Sequence, residues 1–281
     1  MLKVESFTPR SYLFVPGNRP ERFSKAFASG ADSVIIDLED AVPPNLKAAA
    51  RETVRVWLST HSGLADRRLV LRINAADTPW FNDDLALCRL PGVGAVMLAK
   101  TESSAQLGVL SDDPPIIALI ESALAFENLR AIADAPNVQR LAFGAIDFQL
   151  DMGMRATYDD LIYFRSQLAL VSRLAGLLAP IDSPSTALDS DDDVEFEALH
   201  ASRLGFGGKL CIHPRQVSVV NRSFSPTAED IDWAQRVLAA ASQSQGVAVT
   251  LDGQMIDKPV VSRAHAILNR ASILDLAKGA Q

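Results

Sequence analysis

Residues 115–147 read PIIALIESALAFENLRAIADAPNVQRLAFGAID, and this stretch contains the unit from which most of the chain is built. Two short apolar runs, PIIALIE and RLAFGAID, enclose a longer amphipathic segment. Short runs of this kind are typical of strands that are buried on both faces, as parallel sheets require. The stretch therefore predicts a strand–helix–strand unit, with Glu121 and Asp147 at the ends of its two strands.

The same alternation occurs eight times along the chain. The other six runs are SYLFVP (11–16), DSVIID (32–37), RLVLRIN (68–74), GAVMLAK (94–100), LLAPID (177–182) and KLCIHP (209–214). Eight strand–helix units predict an α/β fold of the (β/α)₈ TIM-barrel type, which commonly takes about 250 residues. An open, doubly wound sheet stays possible, because hydrophobic patterning does not show whether a sheet closes.

Three helices between these runs have clear limits. Residues 158–176 place apolar side chains at three- and four-residue steps, after Asp159 and Asp160 and before Gly176. Residues 193–204 form a second helical pattern, and residues 227–242 form a third with acids in the first turn.

The end of the chain breaks this rhythm. After Gly246 the sequence VAVTLDGQMIDKPVV predicts a hairpin or extended segment with a turn at Asp252–Gly253, and SRAHAILNRA predicts a short helix. We therefore expect a catalytic barrel over residues 1–245 and a lid or arm over residues 246–281.

Composition limits the possible functions. Of the 281 residues, 48% are hydrophobic and 22% are charged, which suits one large folded domain. The net charge of −7 and the pI of about 5.1 argue against a general nucleic-acid-binding surface. The start, MLKVESFTPR, lacks the pattern of a signal peptide, and no apolar run approaches the roughly 18 residues of a membrane span. We expect a cytoplasmic protein in which Cys88 and Cys211 are buried and reduced.

Polar residues follow most of the predicted strands, where active sites of TIM barrels lie. They are Asp37, Glu39, Asp40, Arg72, Asn74, Lys100, Glu121, Asp147, Asp182 and His213. Mg²⁺ usually takes one or two carboxylates from a protein, and Glu121 and Asp147 on consecutive predicted strands are candidates. Arg72 is a candidate for binding a substrate carboxylate, although a structural salt bridge with one of these acids is the alternative.

Other motifs are weaker. The chain has no HExxH, CxxC, G-x-S-x-G or GxxxxGK[ST] motif. GFGGK (205–209) is interpreted as a helix stop before the eighth strand, and DSDDDVE (189–195) as a solvated helix N-terminus. His61 and His265 are expected at the surface, whereas ligand contact and packing stay equally open for His213.

An ordered set of motifs resembles a known family. RSYLFVPGNRPERFSKA, DSVIIDLEDAV, LRIN, ALIES, FGAIDF and CIHP occur in this order over nearly the whole chain. They resemble the citrate lyase beta subunit-like family, relatives of the malyl-CoA and citramalyl-CoA lyases within the phosphoenolpyruvate/pyruvate-binding barrels. The resemblance implies a Mg²⁺-dependent carbon–carbon lyase that cleaves or condenses a 3-hydroxyacyl-CoA thioester, with a 2-oxo acid and an acyl-CoA as the other partners.

The resemblance also assigns roles around the metal. Glu121 of ALIES and Asp147 of FGAIDF would be the metal ligands. Arg72 of LRIN would bind the carboxylate and carbonyl of the oxo acid, together with Glu121. Glu39 and Asp40 of DLEDAV would hold metal-bound waters.

Coenzyme A and the lid enter in the same way. Phe14, Arg19 and Lys25 match positions that contact coenzyme A in lyases of this family. GQMIDKP resembles the family's lid, which implies an acid/base role for Asp257, with Asp252 as the second candidate. The alternative for Arg19 and Lys25 is a generic basic first helix. The alternative for Asp257 is a simple turn residue.

Two departures bear on the substrate. Ile146 stands where many relatives have a glutamate, and Ala99-Lys100 stands where relatives often have Pro-Lys. These departures indicate a shift of substrate, so neither citrate nor malate is named. Three alternatives also stay open: an aldolase acting on free hydroxy-oxo acids, a Schiff-base aldolase using Lys100, and a non-autonomous or non-catalytic subunit, for which an acyl carrier would be the partner. The family also implies a homotrimer or hexamer.

Overall fold

Eight parallel strands close into a barrel in the order of the chain. This computed structural model describes residues 7–65, 68–112, 114–243 and 249–279. The strands are β1 (Ser11–Pro16), β2 (Ser33–Asp37), β3 (Leu69–Ile73), β4 (Val93–Leu98), β5 (Ile116–Ile120), β6 (Val138–Phe143), β7 (Ile181–Asp182) and β8 (Gly208–Cys211). Pairing of β1 with β8 closes the sheet, so the TIM-barrel prediction is confirmed and the open sheet is excluded.

The strands are buried on both faces, as their continuous apolar runs predict. In β5 all five residues are buried: Ile117 and Leu119 pack inside the barrel, whereas Ile116, Ala118 and Ile120 pack against the outer layer. The period of two along each strand therefore divides the core into an inner cluster and a larger outer one.

Helices fill the outer layer and the connections. They are α1 (Phe23–Phe27), α2 (Lys47–Ala65), α3 (Phe81–Cys88), α4 (Ser104–Leu107), α5 (Ala123–Glu127), α6 (Leu129–Ala133), α7 (Ala145–Asp151), α8 (Ile162–Leu174), α9 (Asp191–Arg203) and α10 (Pro214–Ser223). Short 3₁₀ turns cover Pro20–Arg22, Pro44–Leu46, Gly108–Leu110 and Asp159–Leu161. The predictions for residues 158–176 and 193–204 are confirmed within a few residues.

Two predicted strands are shorter than expected. RLAFGAID does not continue as a strand to Asp147, because β6 ends at Phe143 and α7 begins at Ala145. LLAPID contributes only Ile181–Asp182, since Pro180 has no backbone N–H to donate to a ladder. Both runs are apolar enough to be buried, and hydrophobicity alone does not separate strand from flanking loop.

Several local interpretations are confirmed. Ser190 accepts a hydrogen bond from the backbone N–H of Asp193 at 3.2 Å, so DSDDDVE begins α9. Residues 205–207 of GFGGK lie between the end of α9 and β8, and Gly208 and Lys209 are the first two residues of β8. Cys88 and Cys211 are buried, and burial raises the pKa of the Cys211 thiol to about 12. His61 differs from expectation, because it is half-buried and its ring stacks on that of Trp57 at 4.8 Å.

The barrel unit comprises Pro9–Phe224, and a second compact unit comprises the described residues 7–8 and 225–279. The second unit contains α11 (Ala228–Gln243), β9 (Val249–Leu251), β10 (Gln254–Ile256) and α12 (Lys258–Gly279). The boundary between the two units lies after Phe224 and not after residue 245 as expected, because α11 packs mainly on α12. The separate lid over residues 246–281 stays a prediction.

Within the second unit the predicted hairpin is present. Asp252 and Gly253 have positive φ values of 51° and 78°, as a two-residue turn between paired strands requires. The helix expected for SRAHAILNRA is longer than predicted, since α12 spans 22 residues. None of the helices in the described ranges is long and apolar enough to cross a membrane.

Candidate active site

Charged side chains from several strands line one cavity at the carboxyl ends of the barrel strands. The cavity has a volume of about 430 Å³. Its polar lining consists of Asp37, Asp40, Arg72, Glu121 and Asp147. Four of these residues follow or end strands β2, β3 and β5, so the parallel barrel itself brings them together.

Arg72 is held mainly by Asp37. Its Nε and Nη2 atoms donate to the two carboxylate oxygens of Asp37 at 2.7 and 2.6 Å, and its guanidinium lies 4.7 Å from the ring centre of Phe14. Although burial alone would lower the pKa of Arg72, the charges of Asp37 and Glu39 raise it above its usual range. Arg72 therefore forms the structural salt bridge that was the alternative to substrate binding. This salt bridge uses Nε and Nη2 and leaves Nη1 outside the pair with Asp37.

Glu39 lies on the same side of Arg72. Its Oε2 is 3.1 Å from Arg72 Nη1, but the angle is not that of a hydrogen bond, so this buried oxygen has no hydrogen-bond partner in the described part of the chain. Its Oε1 is 3.3 Å from Lys100 Nζ. Burial raises the pKa of Glu39, and Arg72 opposes this shift. Asp40 is more exposed, with its Oδ2 3.9 Å from Arg72 Nη1.

Glu121 is the most deeply buried acid of the cavity that has no cation bonded to it among the residues that the structure describes. It is 4% exposed, and its Oε1 accepts a hydrogen bond from the backbone N–H of Lys100 at 2.6 Å. Lys100 has φ 47°, and this left-handed backbone accompanies the inward N–H. Burial raises the pKa of Glu121 to about 8, with Asp147 adding to the shift. A bound cation would relieve this cost.

The room for Glu121 comes from Gly144, which precedes α7. A Cβ atom at Gly144 would lie 2.6 Å from Glu121 Oε2 and 2.7 Å from Glu121 Cβ, far inside van der Waals contact. Asp147 then lies in the first turn of α7, half-buried, and not on a strand as predicted. The turn at Gly144 still brings Asp147 to the same cavity as Glu121.

The three residues assigned to coenzyme A differ in their surroundings. Phe14 is half-buried in the cavity lining, beside Arg72. Arg19 is exposed in the segment after β1, where its Nε donates to Glu21 at 2.8 Å. Lys25 is exposed on α1.

One buried lysine at the site was not found by sequence reasoning. Lys47, at the start of α2, donates from Nζ to the carbonyl oxygens of Leu38 and Glu39 at 2.8 and 2.9 Å, and it lies 4.8 Å from the ring centre of Trp80. Burial lowers the pKa of Lys47, and neighbouring carboxylates oppose the shift. The signal was weak, because a lysine at a helix start ordinarily lies in solvent.

Three other residues from the strand ends have structural partners. Asn74 donates to Asp84 at 2.6 Å, and His213 caps α10 by accepting from the backbone N–H of Arg215 at 3.2 Å. Asp182 is fully buried outside the barrel wall. It pairs with Arg165 and Lys209 at 2.8 Å each. His213 therefore caps α10 through Nδ1, and its contact with a ligand stays a prediction.

Comparison with known proteins shows the family of this chain. The profile of the family described as HpcH/HpaI aldolase/citrate lyase matches residues 10–214. The chain belongs to this family.

Known relatives align with this chain along nearly its whole length. The citrate lyase subunit beta-like protein of Deinococcus radiodurans is 37% identical over 278 residues, covering 92% of this chain and 96% of the relative. Citrate lyase subunit beta of Leuconostoc mesenteroides subsp. cremoris is 34% identical over 283 residues, covering 94% and 93%. The crystal structure of protein CitE from Mycobacterium tuberculosis in complex with magnesium, acetoacetate and coenzyme A has a TM-score of 0.83 and 35% identity, covering 94% of this chain and 98% of that one.

In this aldolase/citrate lyase family member, the two lid candidates have partners within the second unit. Asp257 is exposed and accepts a hydrogen bond from the backbone N–H of Val260 at 3.1 Å, as an N-cap of α12 does. Asp252 accepts from Arg236 Nη1 at 2.6 Å. Because Asp252 is the more firmly paired of the two, Asp257 stays the first candidate for acid/base chemistry.

Proposed function

We propose that this family member is a Mg²⁺-dependent carbon–carbon lyase that cleaves or condenses a 3-hydroxyacyl-CoA thioester, to or from a 2-oxo acid and an acyl-CoA. The observation that carries the proposal is Glu121: an acid buried in the cavity that Asp147 also lines, to which no cation among the described residues is hydrogen-bonded. Family membership and the magnesium and coenzyme A of the matching CitE structure support the same reaction class.

The donor set fits magnesium. In the described part of the chain no three His, Cys, Asp or Glu side chains converge to form a complete metal site. Mg²⁺ ordinarily needs only one or two protein carboxylates and takes water and substrate oxygens for the rest. Glu121 and Asp147 would hold it, and Glu39 and Asp40 would accept hydrogen bonds from its waters. When bound, the ion supplies a Lewis acid that polarises the substrate's oxygen and stabilises developing negative charge.

Arg72 would orient the oxo-acid end of the substrate. Its Nε edge is already used by Asp37, so the substrate carboxylate would meet the Nη1 side, where Glu39 now lies 3.1 Å away. The Asp37 pair makes this orientation rigid, because two hydrogen bonds fix the plane of the guanidinium. Rigid placement of one end of the substrate is the main way in which such a clamp accelerates a reaction.

The remaining groups serve the thioester end. In the cleavage direction the substrate hydroxyl would release its proton to solvent, its oxygen would become the carbonyl of the 2-oxo acid, and the electron pair of the broken carbon–carbon bond would pass to the thioester as an enolate. The protonated carboxyl of Asp257 would then donate a proton to the thioester carbon. Arg19 and Lys25 would pair with phosphates of coenzyme A, and Phe14 would contact its acyl end. These four assignments rest on the resemblance of their segments.

The Schiff-base alternative is less well supported. A lysine that attacks a carbonyl needs a neutral amine, and such lysines have a lowered pKa. Burial lowers the pKa of Lys100, but the charges of Glu39 and Asp40 outweigh it, so the net shift is upward. The side chain of Lys100 instead fits a role in neutralising Glu39.

A thioester assay tests the proposal. Purified protein is mixed with acetyl-CoA or propionyl-CoA and with glyoxylate or pyruvate, in Mg²⁺ or EDTA, and products are identified by mass spectrometry. We expect a condensed thioester only with Mg²⁺. Glu121→Gln should abolish it, whereas Glu52→Gln, which changes an exposed carboxylate on α2, should not.

Other outcomes separate the alternatives. Cleavage of free hydroxy-oxo acids without any thioester product would establish the aldolase. Turnover that requires an added acyl-carrier protein would establish a carrier-dependent subunit. Full activity of Glu121→Gln, or full activity in EDTA, would contradict the assignment of the metal site.

A further inference from the structure

Asp84 is a fully buried carboxylate on α3, outside the lining of the cavity. Its Oδ2 accepts from the backbone N–H of Asn74 at 3.0 Å and from Asn74 Nδ2 at 2.6 Å, and its Oδ1 accepts from Arg51 Nη1 at 3.1 Å. Burial of a charge is costly even when it is paired, and an apolar residue of similar volume is often as stable. Stability alone therefore does not account for a carboxylate at this position.

Asn74 connects Asp84 to the turn after β2. It stands directly after β3, the strand that carries Arg72, and it is 1% exposed. Its Nδ2 donates to Asp84 and also to the carbonyl oxygen of Leu38 at 3.0 Å. Since an amide group has two N–H donors, these two acceptors fix its rotation.

The peptide group between Leu38 and Glu39 is held at both of its polar atoms. Its carbonyl oxygen accepts from Asn74 and from Lys47 Nζ, and its N–H donates to Asp37 Oδ1 at 2.8 Å. Because a peptide group is planar, these bonds fix the direction in which the Glu39 side chain leaves the backbone.

Glu39 depends on this backbone, since the contacts of its own carboxylate are weak. Its Oε1 accepts one hydrogen bond from Lys100 Nζ, at 3.3 Å. Its Oε2 lies 3.1 Å from Arg72 Nη1 and has no hydrogen-bond partner within the described ranges. The backbone of the turn therefore sets where the carboxylate of Glu39 stands.

We propose that Asp84 is a positioning residue for the metal site, which acts through Asn74 and the Leu38–Glu39 peptide on the carboxylate of Glu39. The inference rests on the proposed function, in which Glu39 accepts hydrogen bonds from water on the metal. Loss of the Asp84 carboxylate frees the Asn74 amide to rotate and displaces Glu39 from that water. Groups that orient the surroundings of a metal typically contribute about 10–100-fold to its affinity.

Calorimetric titration with Mg²⁺ tests the inference without any turnover. Asp84→Asn should raise the dissociation constant for Mg²⁺ about tenfold. Asp83→Asn is the matched control, because Asp83 is exposed, pairs with the same Arg51 at 2.8 Å and precedes Asp84 on α3. We expect this control to bind Mg²⁺ normally. Asn74→Leu removes both amide hydrogen bonds at similar volume, so it should weaken Mg²⁺ binding to the same extent and replaces Asp84→Asn if that variant does not fold.

A cycle of variants separates positioning from general damage. In a Glu39→Gln background, Asp84→Asn should change the dissociation constant by less than about twofold, because the carboxylate that it positions is already gone. In the thioester assay, Asp84→Asn should lower kcat about tenfold while the KM for acyl-CoA stays within about twofold.

The outcomes distinguish this inference from the proposed function. A lower urea midpoint with unchanged Mg²⁺ affinity, or a full tenfold effect in the Glu39→Gln background, would overturn the inference and leave the lyase assignment intact. Absence of any thioester product, together with the expected order of Mg²⁺ affinities, would contradict the lyase assignment and support the positioning role. Absence of Mg²⁺ binding by the unaltered protein would overturn both.

Discussion

Replacement of Gly144 by alanine should disable the metal site through one added methyl group. The alanine Cβ would lie 2.7 Å from the Cβ of Glu121. Rotation of the Glu121 side chain does not relieve this contact, because Cβ is attached directly to the backbone. To reach even a tight contact of 3.4 Å, β5 and α7 must separate by about 0.7 Å.

The cost has two parts. Overpacking of a filled site typically destabilises a protein by about 1–3 kcal/mol. Displacement of groups that hold or orient a metal typically weakens metal binding by about 10–100-fold. Since Gly144 has φ −95°, left-handed backbone strain does not contribute, and the whole effect is expected from the side-chain contact.

Two measurements check this prediction. Urea denaturation gives the loss in the free energy of unfolding, and calorimetry gives the dissociation constant for Mg²⁺. Gly108→Ala is the matched control, because no atom lies within 4 Å of its added Cβ and its backbone is helical. We expect this control to bind Mg²⁺ normally and to be stabilised by up to about 1 kcal/mol. Normal stability and normal Mg²⁺ affinity in Gly144→Ala would refute the reasoning.

Three further predictions follow from buried charges. Lys47→Met removes two hydrogen bonds to the carbonyl oxygens of Leu38 and Glu39. We expect kcat to fall about tenfold or more while the KM for acyl-CoA stays within about twofold, as steady-state kinetics would show. A KM effect alone would argue against a positioning role for this lysine. Because the pKa of Glu121 is raised to about 8, Mg²⁺ must displace a proton from Glu121 below that pH. The dissociation constant for Mg²⁺ should therefore rise about tenfold between pH 7 and pH 6. A dissociation constant that does not change with pH would contradict Glu121 as a ligand. Asp182→Asn leaves Arg165 and Lys209 without their shared carboxylate. The free energy of unfolding, measured by urea denaturation, should fall by about 3–5 kcal/mol while Mg²⁺ affinity stays unchanged. An unchanged urea midpoint would show that these ion pairs are dispensable for stability.

Sequence patterning was most informative where local order sets the structure. Runs of buried strand residues recur eight times with long segments between them. These segments predict parallel strands, because a parallel strand needs a crossover of a dozen or more residues before the next. Eight such strand–helix units predict a TIM barrel. Turn chemistry was equally local: Asp252–Gly253 predicted a hairpin turn, and both residues have positive φ. Glu121 and Arg72 were found because each stands at or just beyond the end of a strand.

Patterning was less informative where an element's limit depends on packing. Asp147 was placed on a strand, because FGAID continues an apolar run, yet Gly144 turns the chain into α7. The C-terminal division was placed after residue 245, but α11 belongs with α12 through contacts that no local pattern reveals. Hydrophobicity measures burial, and burial is shared by strands, helices and the segments between them.

The sequence by itself determined the eight strand–helix units, the family resemblance and the identity of the acids and arginine at the strand ends, since each depends on residue type at a position along the chain, whereas closure of the sheet came from the pairing of β1 with β8. Only the tertiary structure decided how those charges are paired. Asp37 binds one edge of Arg72, and Lys47 donates to the backbone of the loop beside it. Glu121 accepts a hydrogen bond from a backbone N–H, and no cation within the described ranges is bonded to it. Charge pairing depends on distance and burial across strands far apart in sequence. The closed barrel sets both of these quantities.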